Sequence, residues 1–214
     1  MKIKNIFFDF DGVIVDSNEI KSQAFYKLFE SYNITIAKKV LDHHKNNIGM
    51  SRFEKFRFYL NNYIDDKKFS IKLLENQFSK LVVKNVIEAK FIIGAKKFLN
   101  ENYKFFNFFL CTSTPQEEIE IILKKKNIDH YFKKIYGSPL KKNKQISYIL
   151  KEFKIKNQES IFIGDSINDY NSSKSCDIKF ILMMNKFNDS FFKKYDVERI
   201  NNFKELHNLL FKND

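Results

Sequence analysis

A chain of 214 residues, 43% of them hydrophobic, can bury one sizeable core and a small accessory domain, but is too short for a long multidomain protein. Its net charge of +12 comes almost wholly from dispersed lysine, with arginine only at 52, 57 and 199, so a clustered surface reading specific nucleic acid is not expected. No run of about 18 apolar residues occurs, which excludes an ordinary membrane-spanning helix.

In chain order, the first predicted strand begins by Ile3 and runs to Phe8, leaving no room for a signal peptide. It delivers Asp9 and Asp11, two residues apart, so that in extended backbone both point to the same side at the strand's carboxyl end. Gly12, with no Cβ to clash, allows a tight path beside them. Taken alone, this pair also fits a polar turn. Residues 18 to about 90 read as amphipathic helix, clearest at Gln23 to Tyr32 and Ile71 to Glu88. Within them, Asn47 to Tyr59 holds Gly49, Ser51 and Arg52. Arg52 could grip a carboxylate or second phosphate through two parallel hydrogen bonds, or Ser51 could simply cap a helix. Arg57 and His44 read as surface residues.

From Ala95 onward strand and helix alternate, which implies right-handed crossovers and a mostly parallel sheet. The strand from Phe105 to Cys111 ends in Thr112, Ser113 and Thr114, followed by Pro115 and the acidic pair Glu117 and Glu118. That pattern suits a helix N-cap, and a helix N-terminus also attracts phosphate. The run Lys124 to Lys126 reads as a solvated helix end. A strand at Lys134 to Tyr136 precedes YGSP and the lysines 141, 142 and 144. Another, Ser160 to Ile163, delivers Asp165 directly after Gly164, with Asp169 four residues on and on the same face of a following helix. A last strand covers Lys179 to Met183. Cys111 and Cys176 lack metal or redox spacing and fit reduced thiols in a cytoplasmic protein. The phenylalanines are expected to fill the core.

Two strand-end acid pairs are hard to explain as turns. Carboxylates gathered at one sheet edge repel and raise each other's pKa unless a cation sits among them. Oxygen-only ligands with room for water and phosphate suit Mg²⁺. None of the histidines, at 43, 44, 130 and 207, has a paired-ligand spacing beside these acids, so zinc is not expected.

These segments, their order and their separation resemble the haloacid dehalogenase superfamily of phosphotransferases. The resemblance implies a Rossmann-like α/β core, residues 1–17 and 91–214, with a helical cap domain inserted at 18–90. It implies that Asp9 is the nucleophile and Asp11 the general acid and base. Thr112 and a lysine, placed at Lys142 with Lys141 and Lys144 as alternatives, would steady the phosphoryl oxygens. Mg²⁺ would be held by Asp9, the backbone carbonyl of Asp11 and Asp165, with Asp169 as a ligand through water or a support. Gly49, Ser51 and Arg52 look like the family's substrate-facing cap loop, and Ser113 joins them as a substrate contact.

The leading expectation is hydrolysis of a small phosphorylated metabolite, with no membrane or specific nucleic-acid partner. A sugar-phosphate mutase of the same fold needs the same acids but carries a histidine ten residues after the second aspartate, where this chain has Lys21. Carbon–halogen hydrolysis is opposed by Asp11, since a halide needs no proton. A non-catalytic binding protein is opposed by the four filled stations.

Overall fold

The computed structural model describes residues 3–211. Among them six strands form one sheet: β1 (Asn5–Phe8), β2 (Asn107–Pro115), β3 (Phe132–Ser138), β4 (Ser160–Gly164), β5 (Lys179–Met183) and β6 (Glu198–Ile200). Their order is β3-β2-β1-β4-β5-β6, and every neighbouring pair is parallel. Strand β6 was not foreseen from sequence: it has three residues and only Ile200 is buried, too little for any periodicity to register. The helices α5 (Ala95–Asn102), α6 (Gln116–Lys126), α7 (Lys142–Glu152), α8 (Ile167–Ser175), α9 (Asp189–Phe192) and α10 (Phe203–Phe211) alternate with the strands. No helix among the described residues is long and apolar enough to cross a membrane.

The central strands carry unbroken apolar runs, at residues 6–8, 108–111 and 161–163, because both faces of the sheet are covered. In β1 the side chains alternate: Phe7 packs with Phe109 and Phe162 on one face, Ile6 and Phe8 with Phe108 and Ile163 on the other. The Phe7 and Phe109 rings lie 5.0 Å apart, and Phe8 meets Phe108 edge-on at 5.3 Å. Most of the phenylalanines are buried in this way. The strand order reverses between β1 and β4, and ligands of open α/β sheets bind in the crevice at the carboxyl ends of strands flanking such a switch.

Between β1 and α5 the chain forms four helices, α1 (Asn18–Glu30), α2 (Ile34–Asn46), α3 (Arg52–Asn62) and α4 (Ile71–Glu88). They close on an aromatic cluster of Phe25, Phe29, Phe56, Tyr59 and Phe78, with Phe25 and Phe78 centroids 4.3 Å apart. The two connections to this insert run side by side. Asp16 N–H donates to the Lys90 carbonyl at 2.9 Å and Ile92 N–H to the Ile14 carbonyl at 3.0 Å, around an antiparallel bridge between Val15 and Phe91.

Candidate active site

Asp9 is the first residue beyond β1, and its N–H extends the ladder to the Ile163 carbonyl at 2.9 Å. That bond fixes the backbone that aims its carboxylate into the crevice. The Asp9 Oδ1 accepts from Phe10 N–H at 2.8 Å and lies 3.0 Å from the Lys142 ammonium. Asp165 follows β4, and its Oδ2 accepts from the amides of Asn18 at 2.7 Å and Asn185 at 2.9 Å. Rather than sharing a helix face with Asp169, it stands two residues before α8 begins. Asp169 closes a capping box at that helix start: its Oδ2 accepts from Ser166 Oγ at 2.6 Å and from the N–H groups of Ser166 and Asp165 at 3.1 and 3.2 Å. Its other oxygen accepts from Lys142. Two glycines make this approach fit. A Cβ on Gly12, whose φ is +74°, would strike the side chains of Asp165 and Asn18, and one on Gly164 would strike Asp169.

One oxygen each of Asp9, Asp165 and Asp169 can be drawn within 4.8 Å of one another, all buried. The electrostatics follow from that crowding. Burial raises the Asp9 carboxyl, Lys142 pulls it back, and Asp169 and Asp11 push it up again, leaving it at about 7. Asp165 is held well above the carboxylate range by burial and by the charges of Asp9 and Asp169. Burial works against the Lys142 ammonium, but the carboxylates of Asp169 and Asp9 outweigh it and hold the group above its usual range. Lys141 and Lys144 are exposed, so of the three lysines Lys142 is the one that reaches the acids. The donor set fits a hard divalent cation: it offers oxygen only, and its mutual repulsion is what a bound cation relieves.

Asp11 has different surroundings. Ser17 Oγ donates to one carboxylate oxygen at 2.6 Å, while Lys21 and Thr114 Oγ1, the latter at 2.9 Å, donate to the other. Lys21 also donates to Thr114 Oγ1 at 2.9 Å. Burial raises the carboxyl, but the Lys21 charge and these hydrogen bonds win and leave it below the ordinary value. Thr112 lies within β2, four residues ahead of α6, and is therefore no helix N-cap. Its Oγ1 accepts from Thr114 N–H at 3.2 Å, and Gln145 holds its carbonyl at 3.0 Å.

A narrow cavity of about 60 Å³ lies over Asp9, Asp11, Thr112 and Asp165, roofed by the helical insert. Gly49, Arg52 and Ser113 line it, whereas Ser51 is absent from this lining and forms a capping box with Glu54 at the start of α3. Ser113 Oγ donates to the Gly49 carbonyl at 2.7 Å, tying the loop to β2, and Asn168 reaches the same carbonyl at 3.0 Å. Arg52 does not offer its fork to the cavity. Its two terminal nitrogens donate to the two oxygens of Glu118 on α6 at 2.8 and 2.7 Å, and one also donates to Ser79 at 3.0 Å. His44, read from sequence as a surface residue, is buried in the cavity wall, and so is Lys55. Sequence reading also passed over Asn18 and Asn185, which nothing in their local pattern marks, and took Glu118 only for part of the acidic start of a helix. Lys55 carried a usable signal: it follows Arg52 by three residues on one helix and so shares its face.

The sequence pattern of the haloacid dehalogenase-like hydrolases matches residues 6–183, and the chain belongs to that family. No curated protein matches it. Among solved structures, a candidate phosphatase from Clostridium difficile is 24% identical, with 99% of this chain and 100% of that one covered and a TM-score of 0.72. CbbY from Rhodobacter sphaeroides, solved with phosphate, is 16% identical over 95% of this chain and 96% of its own, with a TM-score of 0.77. A candidate family hydrolase from Bacillus subtilis, solved with magnesium, is 19% identical over 98% and 99%, with a TM-score of 0.70. At these identities the likeness is one of fold.

Proposed function

We propose that this protein is a Mg²⁺-dependent phosphomonoester hydrolase acting on a small phosphorylated metabolite. The observation that carries the reading is the placement of Asp9: a buried carboxylate at the sheet's switch point, beside Lys142 and the acids Asp165 and Asp169, at the floor of a small cavity. An Asp9 oxygen attacks phosphorus and the ester P–O bond breaks, with Asp11, in its protonated form, passing that proton to the leaving oxygen. Water then attacks the aspartyl phosphate, Asp11 takes the proton, and inorganic phosphate leaves as Asp9 is restored. Dividing the displacement this way, with proton transfer worth roughly 10²–10⁴-fold, is the contribution of the two acids. Thr112 and Lys142 steady the phosphoryl oxygens.

Asp9, the Asp11 carbonyl and Asp165 would hold Mg²⁺, which when bound neutralises phosphoryl charge. Asp169, whose oxygens already accept four hydrogen bonds, serves as the support that positions Lys142 and the turn at Asp165. Helices α1 to α4, within 18–90, act as a cap moving on the paired connections 14–16 and 90–92 against the core of 1–17 and 91–214. The magnesium and phosphate in the two structural relatives support the same reading. Hydrolase is favoured over mutase because Lys21, at the mutase histidine's place, is engaged with Asp11. Phosphate release from a panel of phosphorylated sugars, acids and nucleotides tests the proposal. Release should need Mg²⁺ and drop on the order of 10³-fold or more in a folded Asp9→Asn variant; retained activity in that variant or in chelator refutes it.

A further inference from the structure

We propose that Lys55, with His44 beside it, is the subsite for a second anionic group, so that the preferred substrates are small phosphate esters that also carry a carboxylate or another phosphate. This rests on the phosphoryl site being where the preceding section puts it.

Lys55 lies on α3, is 2% exposed, and lines the cavity whose floor carries Asp9. Its ammonium sits 2.8 Å from His44 Nδ1 and 5.2 Å from the centre of the Phe25 ring. The other cations around this cavity are committed to carboxylates: Lys21 to Asp11, Lys142 to Asp9 and Asp169, Arg52 to Glu118. Among the described residues, Lys55 has no carboxylate in ion-pair contact. An ammonium has three N–H donors and no acceptor, so the bond with His44 uses one donor and requires Nδ1 of a neutral imidazole.

The energetics favour a missing anion over a packing role. Burying an ammonium without a counter-charge costs several kcal/mol, and the ring of Phe25 and the nitrogen of His44 compensate only in part. Burial, with the charge of Lys21 adding to it and that of Glu54, which makes no ion pair with it, offsetting only part, brings Lys55 down to about 7. Burial and the charge of Lys55 also hold His44 well below its usual range, which keeps the imidazole neutral, and accepting from the ammonium at Nδ1 then puts its proton on Nε2. A carboxylate or phosphate entering the cavity restores the ion pair and leaves the phosphoryl end of the same molecule over Asp9. The narrow volume restricts this to a compact molecule.

The test compares non-hydrolysable ligands in Mg²⁺. Phosphonates of two to four carbons ending in a carboxylate or a second phosphonate are titrated calorimetrically against alkylphosphonates of matching length. One doubly anionic length should bind about tenfold or more tighter than its alkyl match, as a charge-assisted hydrogen bond predicts. In Lys55→Met, and in Lys55→Gln should the first variant not fold, that ratio should fall to near one. The carboxylate and phosphonate arms tell which anion is preferred. A ratio near one in the native protein, or a ratio that survives both substitutions, overturns the subsite. Para-nitrophenyl phosphate separates the two readings: hydrolysis with a ratio of one removes the subsite alone. No hydrolysis and no phosphonate binding removes the phosphoryl site and the subsite with it.

Discussion

Lys142 stands between Asp9 and Asp169, its ammonium 3.0 Å from the first carboxylate and bonded to the second. One cation therefore serves two anions, and Asp165 adds a third within the same few ångströms. This is why Asp9 sits near 7 even beside a lysine: desolvation and its acidic neighbours outweigh the single ammonium. The cluster is therefore short of positive charge, which either protons or a further cation can supply.

Asp9 and Asp165 should each withdraw stability from the metal-free protein as pH rises from about 4 to about 7, against the opposite slopes of Asp11 and His44. Asp9 moves from 3.8 to about 7 on folding, and Asp165 moves in the same direction, so between these values the native state binds more protons than the unfolded chain. Their contribution to stability then falls with rising pH, the slope following the proton difference. Mg²⁺ replaces those protons, so its stabilisation should be small at pH 5 and large at pH 8. Melting temperatures at both pH values, with chelator and with Mg²⁺, check this. Equal Mg²⁺ shifts at the two would contradict the site.

Asp11→Asn should separate substrates by leaving group. An amide cannot pass on a proton, so alkyl phosphates should lose about 10²–10⁴-fold in turnover, while an activated aryl phosphate should lose far less in the phosphorylation step. Burst kinetics isolate that step. Equal losses on both would remove Asp11 from the acid role.

Lys21 should set the pH at which Asp11 works. Its charge and hydrogen bond hold the Asp11 carboxyl below the ordinary value, which favours the ionised form. In Lys21→Met the carboxyl should rise and keep its proton to higher pH. The falling limb of the phosphorylation rate should move up accordingly, with arginine at 21 restoring the native profile. An unchanged limb would leave Lys21 a packing residue.

The acids and the sheet were legible in the sequence because both depend on local pattern. Ile6, Phe7 and Phe8 form an apolar run because β1 is buried on both faces, and such a run ends where the polar Asp9 begins. The same logic placed Asp165 after β4. What failed was partner choice between distant elements. Nothing near Arg52 tells that Glu118, 66 residues away, fills its fork, and nothing near His44 tells that Lys55 buries against it. Local pattern gives a side chain's position on its own element; its partner is set by how the helices pack.

The bond between Arg52 and Glu118 joins α3 to α6 beside the cavity, and on the cap motion proposed above it would latch the closed arrangement. Breaking it from either side should weaken closure over any substrate. Arg52→Ala and Glu118→Gln should thus raise KM for an aryl phosphate and for a carboxylated phosphate ester alike, on the order of tenfold for a bidentate charged pair. The double variant should lose no more than either single one, since both remove the same interaction. An arginine that gripped substrate would behave differently. Arg52→Ala would then penalise the carboxylated ester alone, and Glu118→Gln, by freeing the guanidinium, would strengthen its binding. Steady-state KM for the two substrates in the three variants decides between these outcomes.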